Sequence, residues 1–196
     1  MLDFLATYWV EIFGFVTGAA CVFLAAKRII WTFPIGLASN VVFIVLFLEV
    51  GLYADMGLQV VYIVLGITGW IGWARHRASD ERAATAHMSR RVIPLLVLAF
   101  LVGTAILVYV LVAFTDSTVP VPDAGTTTAS LVAQFMLNRR WIESWFVWIA
   151  VDVVYIGLYA YKGLYITAAL YLIFIGICVH GYLTWLRAPH DEVAHA

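Results

Sequence analysis

The sequence predicts an all-α integral membrane protein with seven transmembrane helices, and three observations point to this fold class. Of the 196 residues, 64% are hydrophobic and 12% are charged, whereas a soluble domain has about 45–50% apolar and about 25% charged residues. Seven apolar segments approach the roughly 20 residues that a spanning helix needs. Two groups of three segments also repeat one sequence pattern, separated by a single linker segment, which predicts a 3+1+3 arrangement.

The predicted helices follow one another with short connections, except for the loop 75–91 and the proline-containing turn near 116–123. Their bounds are residues 8–26, 30–48, 55–74, 92–115, 121–138, 141–160 and 164–186. The segment 121–138 is the most polar of these, so other helices must shield it from lipid. The first apolar run lacks a basic leader and is interpreted as a retained span. The loop 75–91 is compatible with a short helix, and residues 188–196 are interpreted as a frayed tail.

The basic residues predict the orientation, because cytoplasmic loops carry an excess of Lys and Arg. With seven spans, ten of the 11 basic residues fall on one side, and only Lys162 falls on the other. This places the N-terminus outside and the C-terminus and tail in the cytoplasm. The expected location is a bacterial inner (cell) membrane, where the chain is multi-pass and contacts lipids.

Several other function classes lack support in the sequence. Cys21 and Cys178 lie in apolar runs, so neither a disulfide nor a metal site is expected. No phosphate-binding loop is present, and no cofactor is expected. The basic loop 75–91 is interpreted as a topology signal with lipid head-group contacts rather than a nucleic-acid site. A small-molecule substrate and no enzymatic activity are the expectations, and homo-oligomerisation stays open.

An internal repeat supports the arrangement of the helices. Residues 27–75 align with 139–187 without a gap, at a constant offset of 112, which is 152 − 40. The matches include two basic pairs, a Gly-Leu-Tyr turn, and Asn40 on Asp152. The predicted single transmembrane domain, 1–186, thus comprises a first repeat at 8–75, a linker helix at 92–115 and a second repeat at 121–187. Parallel repeats of this kind are common in transporters, with the substrate near the midplane between them.

The sixth predicted helix carries the candidate site. Spacings of 3 and 4 place five residues on one helical face: Trp145, Trp148, Asp152, Tyr155 and Tyr159. An ionisable group at this depth is costly and rarely faces lipid, so it is a functional-site hypothesis by default. The repeat adds Asn40 at the equivalent depth, and the two polar side chains are expected to face each other across the pseudo-axis.

These residues resemble a known family. The Trp145-x-x-Trp148-x-x-x-Asp152 motif, the Gly-Leu-Tyr turns and the 3+1+3 layout are similar to those of the PnuC-type vitamin transporters. The resemblance implies a seven-helix, SWEET-like plan and facilitated diffusion of nicotinamide riboside, with cytosolic phosphorylation trapping it. Nicotinamide riboside members often carry Asn at the last motif position, so Asp152 is a departure, and a thiamine transporter of the same family is the alternative.

Physical chemistry supports a flat cationic substrate. Aromatic faces attract cations and stack on heteroaromatic rings, and a carboxylate at low dielectric favours a cation or a ribose hydroxyl. A cage of Trp145, Trp148 and Tyr155 with Asp152 therefore suits nicotinamide riboside or thiamine. A membrane-embedded enzyme is the less favoured alternative because titratable groups are not clustered. A heptahelical receptor is less favoured because of the gapless repeat, and a proton-coupled carrier using Asp152 stays open.

Other polar residues have two readings each. Gln134 and Gln59 are candidate substrate contacts, and interhelical hydrogen bonds are an equal alternative. His180 is expected to be a satisfied neutral histidine rather than a proton relay. Glu143 is expected to pair with Arg139 or Arg140, one turn before it on the helix.

Overall fold

Seven α-helices make up most of the residues that the structure, a computed structural model, describes. The described residues are 13, 16–49, 53–77, 85–115, 119–161 and 165–187. The helices, in chain order, are α1 Val16–Ala26, α2 Thr32–Glu49, α3 Tyr53–Arg77, α4 Ile93–Phe114, α5 Pro120–Asn138, α6 Ser144–Tyr161 and α7 Tyr165–Leu186. The predicted all-α, seven-helix fold class is confirmed. The tail 188–196 and most of the chain before α1 lie outside the described residues.

Two of the described helices contain a segment long and apolar enough to cross a membrane by length and composition. These segments are Gly57–Arg75 in α3 and Ile93–Phe114, which is the whole of α4. Shorter apolar stretches occur in α1, α2, α6 and α7. None of the residues of α4 is buried, and its apolar side chains are therefore suited to contact with lipid.

The chain divides into two compact units, Met1–Ala83 and Ala84–Ala196. In the first unit, hydrogen bonds join α1 to the start and middle of α2. The Thr32 hydroxyl donates to the carbonyl of Cys21 at 2.9 Å, and the hydroxyls of Thr17 and Ser39 lie 3.1 Å apart. Helix α2 packs against α3, which completes a three-helix unit.

In the second unit, α5 packs against both α4 and α6, and α6 packs against α7. Several polar side chains of α5 are turned into this unit, and the buried residues of the helix are Ala124, Thr126, Thr128, Ser130, Ala133, Met136 and Leu137. The expectation that other helices shield this polar segment is therefore met. Pro120 begins α5, a position where its missing N–H costs nothing.

The turns that end α1 and α5 have the same backbone geometry at the offset of 112. Arg28 and Arg140 both have positive φ, 58° and 62°. Each turn has the two hydrogen bonds of a Schellman motif. After α1 they join Ile29 N to Leu24 O (2.9 Å) and Arg28 N to Ala25 O (2.9 Å). After α5 they join Trp141 N to Met136 O (3.1 Å) and Arg140 N to Leu137 O (2.8 Å). The sequence repeat is thus also a repeat of local structure.

The packing of the following helix pair repeats as well. Phe33 of α2 meets Trp73 of α3 edge to face, with ring centroids 5.2 Å apart and an interplanar angle of 83°. At the equivalent positions, Trp145 of α6 meets Trp185 of α7 at 5.3 Å and 88°. Helix α2 and helix α6 each have 18 residues and begin at equivalent positions. Asn40 and Asp152 are therefore both the ninth residue of their helices.

The segment before α4 is not a helix where the structure describes it. We call residues 85–92 the strap. They run alongside the start of α6, and Ala86 forms an isolated parallel β-bridge with Trp141. The Ala86 amide donates to the carbonyl of Arg140 at 3.1 Å, and its carbonyl accepts from the amide of Ile142 at 3.0 Å. The Thr85 hydroxyl donates to the carbonyl of Trp185 at 3.2 Å. The expected short helix is thus absent from residues 85–92.

The strap also changes the expected pairing of Glu143. Its carboxylate accepts from the backbone amide of Met88 at 2.9 Å and lies 3.0 Å from Nδ1 of His87. The expectation of a pair with Arg139 or Arg140 is wrong, because a chain segment more than 50 residues away occupies both carboxylate oxygens. Glu143 therefore ties the strap to the beginning of α6.

Candidate functional site

The predicted face of α6 is turned into the protein. Asp152 is 6% exposed and Trp145 is fully buried, and Trp148 and Tyr155 are half-buried. The exposed side chains of α6 lie on the opposite face and include Phe146, Val153, Val154 and Tyr161. Asp152 therefore does not face lipid, as expected of an ionisable group in the middle of a spanning helix.

The Asp152 carboxyl group contacts α7 through a cysteine. The thiol of Cys178, which is 2% exposed, donates to Oδ2 of Asp152 over a distance of 3.7 Å. This is the hydrogen bond that Asp152 makes among the residues described in the structure. A carboxylate has about four acceptor positions, and a thiol is a weak donor. The described surroundings thus leave most of the hydrogen-bonding capacity of this buried group for another partner.

Trp145 is held between two residues of α7. Its ring meets Trp185 edge to face, and a Cβ atom placed on Gly181 would lie only 2.6 Å from Cη2 of Trp145. Gly181 therefore permits the close approach of the indole, which has no exposed surface. Its described contacts give Trp145 a packing role between α6 and α7, and its contact with a substrate stays a prediction.

Trp148 and Tyr155 differ from Trp145 in having partly exposed rings. Tyr155 packs against Tyr171 of α7 with ring centroids 5.0 Å apart, and Tyr171 packs against Phe174 at 5.6 Å. Trp148 makes no ring–ring contact with another side chain in the described ranges. The half-buried indole of Trp148 lies one turn before the buried carboxyl group of Asp152, on the same face of α6. The side chain of Tyr159 lies outside the described residues.

Asn40 occupies the equivalent place in the first unit. It is half-buried on α2, next to the buried Ser39 that contacts Thr17 of α1. The predicted approach of Asn40 to Asp152 joins the two units and stays a prediction.

The two glutamines have different surroundings. Gln134 of α5 is half-buried, and its side-chain amide donates to Oδ1 of Asn138 one turn later, at 3.0 Å. This bond lies within one helix, so the interhelical alternative is not the one observed. Gln59 is half-buried on α3, and the offset of 112 places it at the position of Tyr171. Gln134 thus belongs to the same unit as Asp152, and Gln59 to the same unit as Asn40.

Cys178 is the contact that the sequence did not predict. A cysteine within an apolar run resembles a small hydrophobic residue, and its separation of 26 residues from Asp152 has no helical period. The one available signal is the repeat, in which Cys178 replaces Gly66, since 178 − 66 is 112.

Comparison with known proteins places the chain in a family. A family model described as nicotinamide mononucleotide transporter matches residues 8–187. The nicotinamide riboside transporter PnuC of Escherichia coli is 24% identical over 217 residues, covering 96% of this chain and 89% of that protein. The riboflavin/roseoflavin transporter RibM of Streptomyces davaonensis is 27% identical over 188 residues, covering 94% and 88%.

A solved structure agrees with these relatives. The crystal structure of the vitamin B3 transporter PnuC matches with a TM-score of 0.72 and 28% identity, over 94% of this chain and 83% of that one. These relatives are named as transporters, in agreement with the expectation that the chain is not an enzyme. The helical fold and this likeness make it a multi-pass membrane protein. Because the family model spans nearly the whole sequence, the chain belongs to the nicotinamide mononucleotide transporter family.

Proposed function

We propose that the chain carries nicotinamide riboside across the inner membrane of a bacterium by facilitated diffusion. The observation that carries this proposal is Asp152, a carboxyl group buried midway along the apolar helix α6, with the half-buried indole of Trp148 one turn away. Relatives named as nicotinamide riboside transporters support the choice of substrate. Phosphorylation in the cytosol would keep the vitamin from returning, since facilitated diffusion alone only equalises the electrochemical potential of the cation on the two sides.

The proposed site assigns each predicted residue a role. Trp148 stacks on the pyridinium ring, and cation–π contacts of this kind contribute about 0.5–2 kcal/mol each. Tyr155 borders the same ring on the side away from Trp145. Asp152 accepts a ribose hydroxyl or attracts the positive ring, because a carboxylate forms its strongest hydrogen bonds and ion pairs at low dielectric.

The first repeat completes the proposed site. In the proposed 3+1+3 parallel arrangement, with the N-terminus outside, Asn40 is the polar residue equivalent to Asp152 and is assigned a contact with the substrate near the midplane. Gln59 and Gln134 are placed closer to the helix ends, as contacts along the path. Trp145 shapes the site from behind by holding α6 against α7, as its contacts with Gly181 and Trp185 indicate.

Riboflavin is the second candidate substrate, because one relative is a riboflavin/roseoflavin transporter. Riboflavin is a neutral, larger ring system, and a buried carboxyl group gains less from it than from a pyridinium cation. Thiamine, a flat cation, is the third candidate. The three differ in charge and size, so a binding comparison separates them.

The test is a melting-temperature panel on the purified protein with nicotinamide riboside, thiamine, riboflavin and a deoxynucleoside. A ligand at 100 times its Kd stabilises the native state by about 2.7 kcal/mol, which corresponds to roughly 5–11 °C for a protein of this size. We expect the largest shift with nicotinamide riboside. A shift with riboflavin alone would overturn the substrate assignment.

Variants then test the site. We expect Trp148→Ala to weaken binding about 2- to 30-fold, the range of one cation–π contact. Asp152→Asn should weaken it about 10-fold or more, since hydrogen bonds to charged groups contribute about 1.5–3 kcal/mol. Val153→Ala is the matched control, because its side chain is 55% exposed on the opposite face. Wild-type affinity in both site variants would remove the proposed site.

Uptake into proteoliposomes tests the mode of transport. Without a kinase, facilitated diffusion brings the internal concentration of labelled nicotinamide riboside up to the external value and no further. A protonophore should leave this end point unchanged. Accumulation above the external concentration, abolished by the protonophore, would instead favour proton coupling.

A further inference from the structure

The contact between Asp152 and Cys178 has a role that the substrate proposal does not use. We propose that Cys178 is a positioning residue: its S–H group holds Oδ2 of Asp152 and so directs Oδ1 toward the substrate. This inference rests on the proposed function for the identity of the substrate. The contact itself, 3.7 Å between Sγ and Oδ2, is independent of that function.

Burial protects the hydrogen bond between Cys178 and Asp152 from competition by water. Asp152 is 6% exposed and Cys178 is 2% exposed, so water has little access to compete for either group. An ionised carboxyl group only accepts hydrogen bonds, and the thiol is the donor it meets within the described part of the chain. Without that donor, both oxygens would lack a fixed partner in the described surroundings, and the group would be free to rotate about χ2.

The packing below the contact fixes the positions of both backbones. Gly181 lies one turn after Cys178 on α7, and it touches the ring of Trp145, which lies two turns before Asp152 on α6. Trp185 also packs edge to face with that ring. Because all three of these residues are buried, α6 and α7 have little freedom to slide, and the sulfur is held beside the carboxyl group.

The first repeat offers an internal comparison. There Asn40 stands for Asp152, and Gly66, which has no donor side chain, stands for Cys178. A Cβ atom on Gly66 would lie 3.1 Å from Cδ2 of Leu37, so a side chain there would require that leucine to shift by a few tenths of an ångström. An asparagine carries its own N–H donors and a carboxylate carries none. The donor side chain is thus found in the half where the polar residue lacks donors.

The alternative is that Cys178 only fills space as a small apolar residue. The two interpretations predict opposite orders for the effects of Cys178→Ser and Cys178→Ala on substrate binding. Cys178→Ser keeps a donor and adds polarity, whereas Cys178→Ala removes the donor and keeps the site apolar. If the thiol positions Asp152, serine should be the milder change for substrate binding; if it only fills space, alanine should be milder.

Infrared spectroscopy tests the hydrogen bond without any ligand. The chain has 2 cysteines, so a Cys21→Ala background leaves the S–H stretching band of Cys178 alone. We expect Asp152→Ala to move this band to higher frequency, as a hydrogen bond is lost, and Val153→Ala to leave it in place. Asp152→Asn, a weaker acceptor, should give a smaller shift and serves if the alanine variant does not fold. An unchanged band in both Asp152 variants would overturn the inference.

A double-mutant cycle tests the consequence for the substrate. We expect Cys178→Ala to weaken nicotinamide riboside binding about 3- to 10-fold, the size of one ordinary hydrogen bond. Cys178→Ser should restore the Kd to within about 2-fold of wild type. In an Asp152→Asn background, the effect of Cys178→Ala should shrink, because the two residues act through one contact. An equal effect in both backgrounds, or a serine variant worse than alanine, would overturn the positioning role.

The two experiments separate this inference from the proposed function. If the wild type does not bind nicotinamide riboside, the substrate assignment fails, and the S–H band still decides whether Cys178 bonds to Asp152. If the wild type binds and the band does not respond to Asp152, the positioning role fails alone.

Discussion

Gly181→Ala should push α6 and α7 apart, because the added methyl group would meet the ring of Trp145. The added Cβ would lie 2.6, 2.7 and 2.8 Å from Cη2, Cζ2 and Cζ3 of Trp145, whereas carbon atoms in good contact are about 3.5–4.0 Å apart. Trp145 is fully buried and packed edge to face on Trp185, so the ring has no free direction in which to move. Overpacking of this kind costs about 1–3 kcal/mol.

The matched control is Gly176→Ala on the same helix, where an added Cβ meets nothing within 4 Å. Both substitutions gain the same helix propensity, about 0.5–1 kcal/mol over glycine, so the difference between them isolates the contact with Trp145. We expect the melting temperature of Gly181→Ala in detergent to lie about 4–8 °C below that of Gly176→Ala, if the difference is about 2 kcal/mol.

A second substitution tests the assigned cause. Trp145→Phe removes the outer part of the indole, so it should reduce the cost of Gly181→Ala in the double variant. Equal melting temperatures for the two alanine variants would refute the packing role given to Gly181. A full cost of Gly181→Ala in the phenylalanine background would show that the clash lies elsewhere.

Two further predictions concern the second unit. Glu143→Gln should weaken the strap by about 0.5–1 kcal/mol, since the carboxylate is partly exposed. Amide hydrogen exchange in residues 85–92 should then quicken, more than for His87→Ala, and unchanged exchange would contradict the strap's anchoring. Gly103→Ala should lower the melting temperature, because its Cβ would lie 2.8 Å from Cγ2 of Thr128. Thr128→Ser, which removes that methyl group, should restore it. Gly125→Ala, with nothing within 4 Å, should not lower it, because alanine there only gains helix propensity over glycine; failure of the rescue would exclude the contact with Thr128 as the cause.

The helix bounds were predictable where local chemistry ends a helix. The span predicted at 121–138 is α5, Pro120–Asn138, because a proline begins it and a Schellman motif follows it. The span predicted from residue 141 begins at Ser144 instead. Residues 141–143 form a turn instead of helix. This turn follows Arg140, which has a positive φ, and the amide of Ser144 donates to the carbonyl of Trp141 within it. Hydropathy does not register this turn, because Trp141 and Ile142 are apolar whether or not they are helical.

The site was predictable as a face and not as a set of contacts. Spacings of 3 and 4 correctly placed Asp152 and its aromatic neighbours away from the exposed side of α6. They cannot distinguish Trp145, whose ring is enclosed by α7, from Trp148, whose ring is partly exposed. That difference depends on Gly181, 36 residues after Trp145 by sequence number. The strap was missed for the same reason. Its hydrogen-bond partners lie about 50 to 100 residues later in the chain, and no spacing pattern in the sequence connects them to residues 85–92.

The repeat separates what maintains the fold from what serves the site. The two halves share the positive φ of Arg28 and Arg140. They also share an edge-to-face aromatic pair, Phe33 with Trp73 in the first half and Trp145 with Trp185 in the second. A feature needed for packing is expected in both halves, because both build the same helix pair.

The carboxyl–thiol pair breaks that pattern. Asp152, Cys178 and Trp148 stand where the first half has Asn40, Gly66 and Gly36. Burying a carboxyl group in a spanning helix costs a few kcal/mol, and the first half builds the equivalent helix pair without one. Stability therefore does not account for Asp152. This asymmetry between the repeats supports the proposal that the second repeat binds the charged ring.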